Sequence, residues 1–409
     1  FRDLGEQWVS RYESRSFRVE LQHLYSQIRP LYEQLHAFVR KTLKTMHRIP
    51  MLRTGQIPAH VLGNMMADEW SKIYTNVVIF NESSNDIKLK FRDLSARDLV
   101  EMADDYLLSL GFDQLDKTFY KARIRYSSKQ GEQAGFRAFV FDLFDQKDYR
   151  LVGPRTVGDT QFYDAHNKIT QIHYFMQYRN QPVIYREPAN DAFLEAVGGA
   201  IELSVRNLDY LKKIRLLRTR QITHRTRINY QLMIALEKVA LLPFAYLVDE
   251  WRWSVFNGST TADNYNQVWW RLRCDLQGVS PPVHRLDNDF DPGALLEIAT
   301  NKPYIKHFIS TILQFQIYKR LCNIAQHKGP LHKCNLKNNI EAGDKLRAMM
   351  KLGSSVTWKT ALKELTGQVR IQASPMIEYF QPLLRYLREK NGNEYGWQPA
   401  CDMRIKVSG

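Results

Sequence analysis

The stretch FRVELQHLYSQIRPLYEQLHAFVRKTL (residues 17–43) carries the helical pattern that decides the fold. Its apolar side chains recur three and four residues apart, at Phe17, Leu21, Leu24, Tyr25, Ile28, Leu31, Tyr32, Leu35, Phe38, Val39 and Leu43. This spacing places them on one face of a helix. Pro30 lies in its middle, where a proline kinks a helix or divides it in two.

The same period recurs along most of the chain and predicts an all-α fold. Further helices are predicted at about 95–110, 164–179, 191–216, 228–255, 261–275, 304–326, 339–351, 357–366 and 375–390. Residues 119–128 and 135–144 are instead rich in aromatic and β-branched residues without helical spacing, and these predict a small β pair near 119–144. Loops are expected at 153–160, 278–294 and 391–398.

Length and composition are those of a soluble globular protein. The chain has 409 residues, of which 44% are hydrophobic and 25% charged. Residues 232–248 come nearest to a membrane span, but Glu237, Lys238 and Pro243 interrupt them, so we interpret them as a buried helix. The chain begins at Phe1 without a basic or apolar leader, and we expect a processed or truncated product.

The net charge of +15 predicts acidic partners. Much of it lies in YLKKIRLLRTRQITHRTR (210–227), with seven Lys and Arg in eighteen residues. Two interpretations stay open, a solvated loop between helices and a patch for an acidic glycan or protein. Nucleic acid is not expected as a partner, because no recognition fold accompanies the charge.

The cysteines and sequons favour an extracellular setting. Cys322 and Cys334 bracket a loop containing Gly-Pro that could close into a disulfide, whereas Cys274 and Cys401 have no evident partner. Asn81-Glu-Ser and Asn257-Gly-Ser are acceptor sequons for glycosylation if the chain is secreted. The chain is therefore expected to be secreted or to be the ectodomain of an anchored protein, with membrane attachment only through segments outside this sequence.

Long motifs in a fixed order give the chain a resemblance to angiotensin-converting enzyme, the peptidyl-dipeptidases of peptidase family M2. The matching motifs are PLYEQLHAFVR (30–40), IPAHVLGNMMADEWSKIY (57–74), FMQYRNQPVIYREPAN (175–190), PFAYLVDEWRWSVFNG (243–258), YNQVWWRLR (265–273), FDPGA (290–294), FISTILQFQ (308–316) and GPLHKC (329–334). The resemblance implies a helical ellipsoid with a deep central channel. It also implies one domain over 1–390, without the N-terminal helices that roof the channel in relatives, and a tail at 391–409.

In that family, zinc is held by two histidines one helical turn apart and a downstream glutamate, and a glutamate beside the first histidine is the general base. Here the helix reads DAHNKITQIHYFMQY (164–178), which puts Asn167 and Gln171 at the histidine positions and Lys168 at the base. Only Glu195, at the third ligand position, matches. We therefore expect no zinc. Lys168 is expected either to pair with Glu195 in place of the metal or to reach solvent.

Most other functional positions that the resemblance implies have also changed. The transition-state histidine is Arg137, the second histidine of the channel is Glu297, and the oxyanion tyrosine is His307. Among the positions that bind the substrate carboxylate, the glutamine is Asp68, the lysine is Leu295, and only Tyr304 matches.

The resemblance also implies remnants of two chloride sites and one disulfide. Trp269 and Arg273 match the first chloride site, and Tyr12 matches the second, where Lys306 replaces an arginine. Chloride therefore stays open as a bound ion, although core packing is the simpler role for Trp269. Cys322 and Cys334 match a family disulfide, and a second family disulfide is lost at Phe136 and Pro154.

These features predict a catalytically inactive homologue that binds an unidentified peptide, protein or glycan, similar to non-peptidase members with roles in development. Two alternatives stay open. One is an active zinc peptidyl-dipeptidase with an atypical site. The other is an interaction protein that uses the basic segment 210–227, which would lose affinity steeply as salt rises.

Overall fold

The computed structural model describes residues 1–46, 51, 53–81, 87–127, 138–217, 219, 221–286 and 288–398. The predominantly helical fold predicted from the sequence is confirmed. The helices are α1 (Leu4–Ser10), α2 (Phe17–Met46), α3 (Tyr74–Val77), α4 (Ala96–Leu108), α5 (Asp159–Tyr178), α6 (Asp191–Val205), α7 (Leu208–Lys213), α8 (His224–Phe256), α9 (Tyr265–Leu272), α10 (Leu296–Ala299), α11 (Ile305–Ile324), α12 (Ile340–Met350), α13 (Trp358–Thr366), α14 (Ser374–Tyr379) and α15 (Gln381–Asn391). The strands are β1 (Ile57–Pro58), β2 (Ile124–Tyr126), β3 (Phe139–Asp142), β4 (Tyr149–Gly153) and β5 (Val279–Ser280).

The chain forms two compact units, each assembled from separated segments. The first comprises the described parts of 1–84, 224–308 and 380–409, and the second those of 85–223 and 309–379. The prediction of a single domain over 1–390 stays a prediction.

Helices α2, α8 and α15 build the core of the first unit. The rings of Tyr25 on α2 and Tyr246 on α8 stack at 5.0 Å. Asn391, at the end of α15, donates its amide to the carbonyl of Gln34 (2.9 Å). Among the described helices, only α8 is long and apolar enough to cross a membrane, but 78% of its apolar window is buried within the structure. This agrees with the predicted buried helix.

The described segment after α15 packs on the first unit. The Trp397 ring lies 4.6 Å from the ring of His36 on α2. The backbone N–H of Gln398 donates to the carbonyl of Thr54 (2.8 Å). Gly278 has a positive φ of 66° and touches this tryptophan, so that a Cβ there would lie 2.6 Å from the indole. Residues 392–398 are therefore packed on the first unit.

The second unit contains the small β element, which is a three-stranded sheet rather than a pair. The strand order is β2-β4-β3, with β2 parallel and β3 antiparallel to β4. The described residues of the two predicted strands therefore pair with β4 and not with each other. Tyr149 and Leu151 of β4 are buried, and the backbone N–H of Ala138, just before β3, donates to Asp164 on α5 (2.8 Å).

Two predicted helices are each divided in two. The run 191–216 becomes α6 and α7, because Asn207 accepts a hydrogen bond from the N–H of Tyr210 (2.9 Å) and caps a new helix. The run 375–390 becomes α14 and α15, which are separated at Phe380. Pro382 stands in the first turn of α15, where its missing N–H costs nothing.

Candidate functional site

The candidate site lies on α5 and α6 of the second unit. Helix α5 carries Asn167, Lys168 and Gln171, and α6 carries Glu195. The N-cap of α6 is Asn190, whose side chain accepts hydrogen bonds from the N–H groups of Ala192 (3.0 Å) and Phe193 (3.2 Å). This cap fixes where α6 starts and hence which face it turns toward α5.

The two helices run antiparallel in close contact. The hydroxyl of Tyr174 accepts from the N–H of Ala189 (3.3 Å) before α6 starts, whereas the guanidinium of Arg206 after its end lies 4.2 Å from the ring of Tyr163. Gly198 lies against Asn167, so that a Cβ there would be 2.6 Å from its Oδ1. This register brings Gln171, one turn beyond Asn167, level with the turn of α6 that carries Glu195.

A chain of hydrogen bonds links the two positions where the family pattern has histidines. Gln171 donates through Nε2 to Oδ1 of Asn167 (2.8 Å), and Asn167 donates through Nδ2 to Oε2 of Glu202 (3.0 Å). The other oxygen of Glu202 accepts from Nε of Arg206 (2.9 Å). We call this chain of Gln171, Asn167, Glu202 and Arg206 the amide–carboxylate ladder.

The ladder ends in a buried ion pair. The side chains of Glu202 and Arg206 are both about 5% exposed, and they are one helical turn apart on α6. A buried charge is costly unless it is paired and hydrogen-bonded. The arginine and the amide of Asn167 together satisfy the carboxylate of Glu202.

Sequence analysis did not identify Glu202 or Arg206. The available signal was a glutamate and an arginine four residues apart in the otherwise apolar sequence AVGGAIELSVR (196–206). That spacing predicts a pair on one helix. Their burial, however, depends on the packing of α5.

The carboxylate of Glu195 accepts a hydrogen bond from a hydroxyl group. Ser310 on α11 donates through Oγ to Oε2 of Glu195 (3.0 Å). Among the described side chains, the ion pairs do not include one between Lys168 and Glu195, so the predicted pairing is not observed. Lys168 is half-buried.

The donor groups at the four positions do not fit zinc. Zinc in proteins is bound by imidazole, thiolate and carboxylate groups, and here two positions hold amides that are engaged in the ladder. In the part of the chain that the structure describes, no three His, Cys, Asp or Glu side chains form a set able to hold a metal ion.

The two histidines of α5 face the core of the second unit. His166 donates through Nδ1 to the carbonyl of Phe162 (2.8 Å), and burial lowers its pKa to about 4. His173 Nε2 lies 3.4 Å from Oδ1 of Asp104, and the other carboxylate oxygen, Oδ2, accepts a hydrogen bond from the hydroxyl of Tyr120 (2.6 Å). Both therefore serve as packed, hydrogen-bonded side chains.

The burial of His166 predicts a loss of stability in acid. The side chain is 1% exposed and stays neutral in the folded state, whereas the unfolded chain is protonated below about pH 6.5. From pH 6.5 down to about pH 4, this residue is expected to lower the free energy of unfolding by about 1.4 kcal/mol per pH unit. Urea unfolding measures this effect. Between pH 6.5 and about pH 4, the unfolding free energy of His166→Gln should fall with pH less steeply than that of the parent chain, by about 1.4 kcal/mol per pH unit.

The same substitution at His60, which is exposed, is the control for this prediction. An equal change of slope in His60→Gln would show that burial is not the cause. Asp249 contributes in the opposite sense, because burial raises its pKa to about 6 and its protonation stabilises the folded state as the pH falls. Comparing each variant with the parent cancels this contribution.

The remaining substrate positions described by the structure lie in the first unit. The ring of His307 lies 4.7 Å from that of Tyr304. The backbone N–H groups of Tyr304 and Ile305 both donate to Asp249 at 2.8 Å. Buried Leu295 and half-buried Glu297 lie on either side of the start of α10.

Two substrate positions remain, Asp68 and Arg137. Asp68 accepts hydrogen bonds from Asn64 Nδ2 (2.8 Å) and from the N–H of Glu69 (3.0 Å). Arg137 falls outside the described residues, as does Phe136.

The predicted chloride residues Trp269 and Arg273 lie together in the core of the first unit. The guanidinium of Arg273 lies 5.8 Å from the ring of Trp269 and donates to the carbonyl of Met66 (2.5 Å). Burial lowers the pKa of Arg273 to about 10. Tyr12 stacks on Phe17 at 4.2 Å. Trp269 is 1% exposed, in agreement with a packing role, and bound chloride stays a prediction.

The predicted disulfide between Cys322 and Cys334 is confirmed, with a Cα–Cα distance of 6.1 Å. Cys274 is also disulfide-bonded, so the expectation that it has no partner is wrong. Asn257 lies on an exposed turn after α8, where its Oδ1 accepts from the N–H of Ser259 (3.0 Å). Asn81 is exposed, but the rest of its sequon falls outside the described residues.

Comparison with known proteins gives one family. The family profile described as angiotensin-converting enzyme, of the M2 peptidases, matches residues 1–397. The angiotensin-converting enzyme of Sus scrofa is 40% identical over 411 residues, which cover 98% of this chain and 31% of that protein. The angiotensin-converting enzyme of Mesocricetus auratus is 39% identical over 412 residues, which cover 98% of this chain and 31% of that protein.

A further relative is the angiotensin-converting enzyme-like protein Ace3 of Mus musculus. It is 36% identical over 416 residues, which cover 100% of this chain and 56% of that protein. The chain thus spans about a third of the two enzymes and just over half of this relative.

Proposed function

The chain belongs to the angiotensin-converting enzyme family, and we propose that it binds a peptide or protein ligand without hydrolysing it. The observation that carries this proposal is the amide–carboxylate ladder. Asn167 and Gln171 each use their amide in a hydrogen bond at the positions where the family pattern has zinc-binding imidazoles. A single remaining carboxylate, Glu195, is a weak basis for holding zinc, since catalytic zinc sites use three protein ligands.

The neighbouring substitutions support the same proposal. Lys168 stands at the position of the general base. A protonated lysine cannot accept a proton from a metal-bound water, and its charge repels a divalent metal. Leu295 and Asp68 replace a cation and an amide at positions where the family binds a substrate carboxylate. A carboxylate at Asp68 repels such a ligand, so the proposed ligand differs from the dipeptide products of the family.

The proposed setting is extracellular, with the chain secreted or part of a larger ectodomain. The Cys322–Cys334 disulfide supports this, because such bonds persist in oxidising compartments. The exposed turn at Asn257 would accept a glycan there. A role in development, as in other non-peptidase members of the family, is part of this proposal and rests on the resemblance alone.

Zinc content is the first test of the proposal. The purified protein, dialysed against trace-free buffer, is expected to hold less than about a tenth of an equivalent of zinc by plasma mass spectrometry, because a lone carboxylate binds the metal weakly. The same preparation, supplied with zinc, is expected to release no dipeptide from a blocked tripeptide.

The opposite result would favour the alternative of an active peptidyl-dipeptidase with an atypical site. Near-stoichiometric zinc that is lost in Glu195→Ala, together with dipeptide release, would overturn the proposal. Glu101→Ala serves as the matched control, because it removes another half-buried glutamate from the same unit.

A further inference from the structure

A second basic segment lies beside the one that sequence analysis singled out. The backbone N–H of Lys90 donates to the carbonyl of Leu216 (2.9 Å), and Leu89 forms an antiparallel bridge with Leu217. Residues 88–92 (KLKFR) therefore run alongside the end of the segment 210–217. Because the two segments are more than 100 residues apart in the chain, only the folded structure relates them.

Their leucines point inward and their cations outward. Leu216 and Leu217 are 4% and 2% exposed, whereas Lys88 and Lys90 are exposed. Lysines two residues apart on an extended segment share one face and are roughly 7 Å apart. The bridge between the segments thus holds a row of charges at the surface.

The basic row continues on the neighbouring segment. Lys213 ends α7 and Arg215 follows with a left-handed φ of 63°, and both side chains are exposed. We call Lys88, Lys90, Lys213 and Arg215 the cationic ridge. Residues 88–93 and 209–215 together hold six cations and two carboxylates, so the surface keeps a positive charge.

A further lysine lies close to the ridge. Burial lowers the pKa of Lys337, the nearby carboxylate of Asp105 opposes this shift, and the ammonium of Lys213 adds to it. The ammonium of Lys337 lies 5.6 Å from the ring of Tyr106. The cations on this side of the second unit therefore come from three separated parts of the chain.

We propose that the cationic ridge binds a sulfated polysaccharide chain. A row of ammonium and guanidinium groups suits a linear polyanion, and sulfates keep their charge at all physiological pH values. Nucleic acid fits less well, because Phe91, the aromatic residue between Lys90 and Arg92, is half-buried and packs 6.0 Å from the ring of Phe162, which leaves less of its face for stacking on a base. The Cys322–Cys334 disulfide also favours a compartment in which sulfated glycans occur.

The cationic ridge is a partner site on the second unit, and its binding does not depend on whether α5 is catalytic. It differs from the sequence-based expectation, which placed the surface on 210–227 alone. Residues 88–92 carry half of the proposed ridge, so the decisive variant changes them and leaves 210–227 intact.

Heparin binding tests the proposal. Lys88→Ser/Lys90→Ser is expected to bind heparin about tenfold more weakly than the parent chain at physiological salt, and with a shallower dependence of log Kd on log salt concentration, because two charge contacts are lost. Lys351→Ser/Lys363→Ser removes the same charge from exposed positions of the same unit and is expected to change Kd less than twofold. Circular dichroism checks that both variants are folded.

Two results would overturn the proposal. Unchanged heparin affinity in Lys88→Ser/Lys90→Ser, or an equal loss in the control variant, would rule out this location. Equal affinity of the parent chain for desulfated heparin, or for an oligonucleotide of the same charge, would rule out a sulfated polysaccharide as the preferred partner.

Discussion

Replacing Asn167, Lys168 and Gln171 by His, Glu and His, respectively, is expected to create a site that holds about one equivalent of zinc. The antiparallel register of α5 and α6 brings Gln171 level with the turn that carries Glu195. Imidazoles four residues apart on α5 share one face, and Glu195 would supply the third ligand. Glu202 already accepts a hydrogen bond from residue 167 (3.0 Å), and a carboxylate in that role orients a zinc-binding imidazole and raises its basicity.

Plasma mass spectrometry on the dialysed triple variant measures this effect against the parent chain. The matched control adds Glu195→Ala to the same three substitutions and is expected to lose most of the metal. A folded triple variant without zinc would contradict the inferred register of the two helices. Peptide hydrolysis is expected to stay low even with zinc bound, because His307, Leu295 and Asp68 still occupy the other substrate positions of the family.

The elements that the sequence predicted well are those whose signal is local. The spacing of apolar residues in 17–43 gave α2, which spans Phe17–Met46, because a helix satisfies its hydrogen bonds within its own segment. Strand β4 was not predicted, because its five residues form a strand through hydrogen bonds to β2 and β3. Short strands depend on partners elsewhere in the chain, and no local period reveals them.

In the candidate site too, the positions of residues on helices were predicted, whereas contacts with distant segments were not. The resemblance placed Asn167, Lys168, Gln171 and Glu195 on two helices, where the structure has them. It did not reveal that Ser310 would donate to Glu195. A pairing of Glu195 with Lys168 was one of two expectations, the other being that Lys168 reaches solvent. The contact with Ser310 comes from α11, which is more than 100 residues away from Glu195 in sequence.

The cationic ridge was half visible in the sequence for a similar reason. A run of like charges is conspicuous in one segment, as in 210–227, but it does not identify the segment that folds against it. Residues 88–92 carry only three cations, which is unremarkable in isolation. Their importance in the proposal comes from the backbone contact with Leu216 and Leu217.

The amide–carboxylate ladder links the two helices that carry the family's zinc-binding positions, and its buried ion pair lies at the end of α6. In a metal site, the bond to zinc holds the two helices together. Here Asn167 reaches across to Glu202, and Arg206 neutralises that carboxylate. The contact of α5 with α6 is then expected to depend on this ion pair.

Removing the charge of Glu202 is expected to destabilise the protein strongly. Glu202→Gln keeps the shape of the side chain but takes the carboxylate charge away from the buried guanidinium of Arg206, and breaking a buried pair in this way costs about 3–5 kcal/mol of unfolding free energy. The double variant Glu202→Gln/Arg206→Met is expected to recover most of this loss, because it removes the buried guanidinium as well. Urea unfolding of the parent chain and both variants, with Arg206→Met completing the cycle, gives the coupling energy.

The ion pair between Lys345 and Glu364 provides the control for this cycle. Its atoms are 2.7 Å apart, but the side chains are 35% and 45% exposed, and exposed pairs contribute less than about 1 kcal/mol. Glu364→Gln should therefore change the unfolding free energy little, although its ion pair is shorter than the 2.9 Å contact of Glu202 with Arg206. Similar small losses in Glu202→Gln and Glu364→Gln would contradict a stabilising role of the ladder between α5 and α6. A large loss confined to Glu202→Gln, recovered in the double variant, would support it.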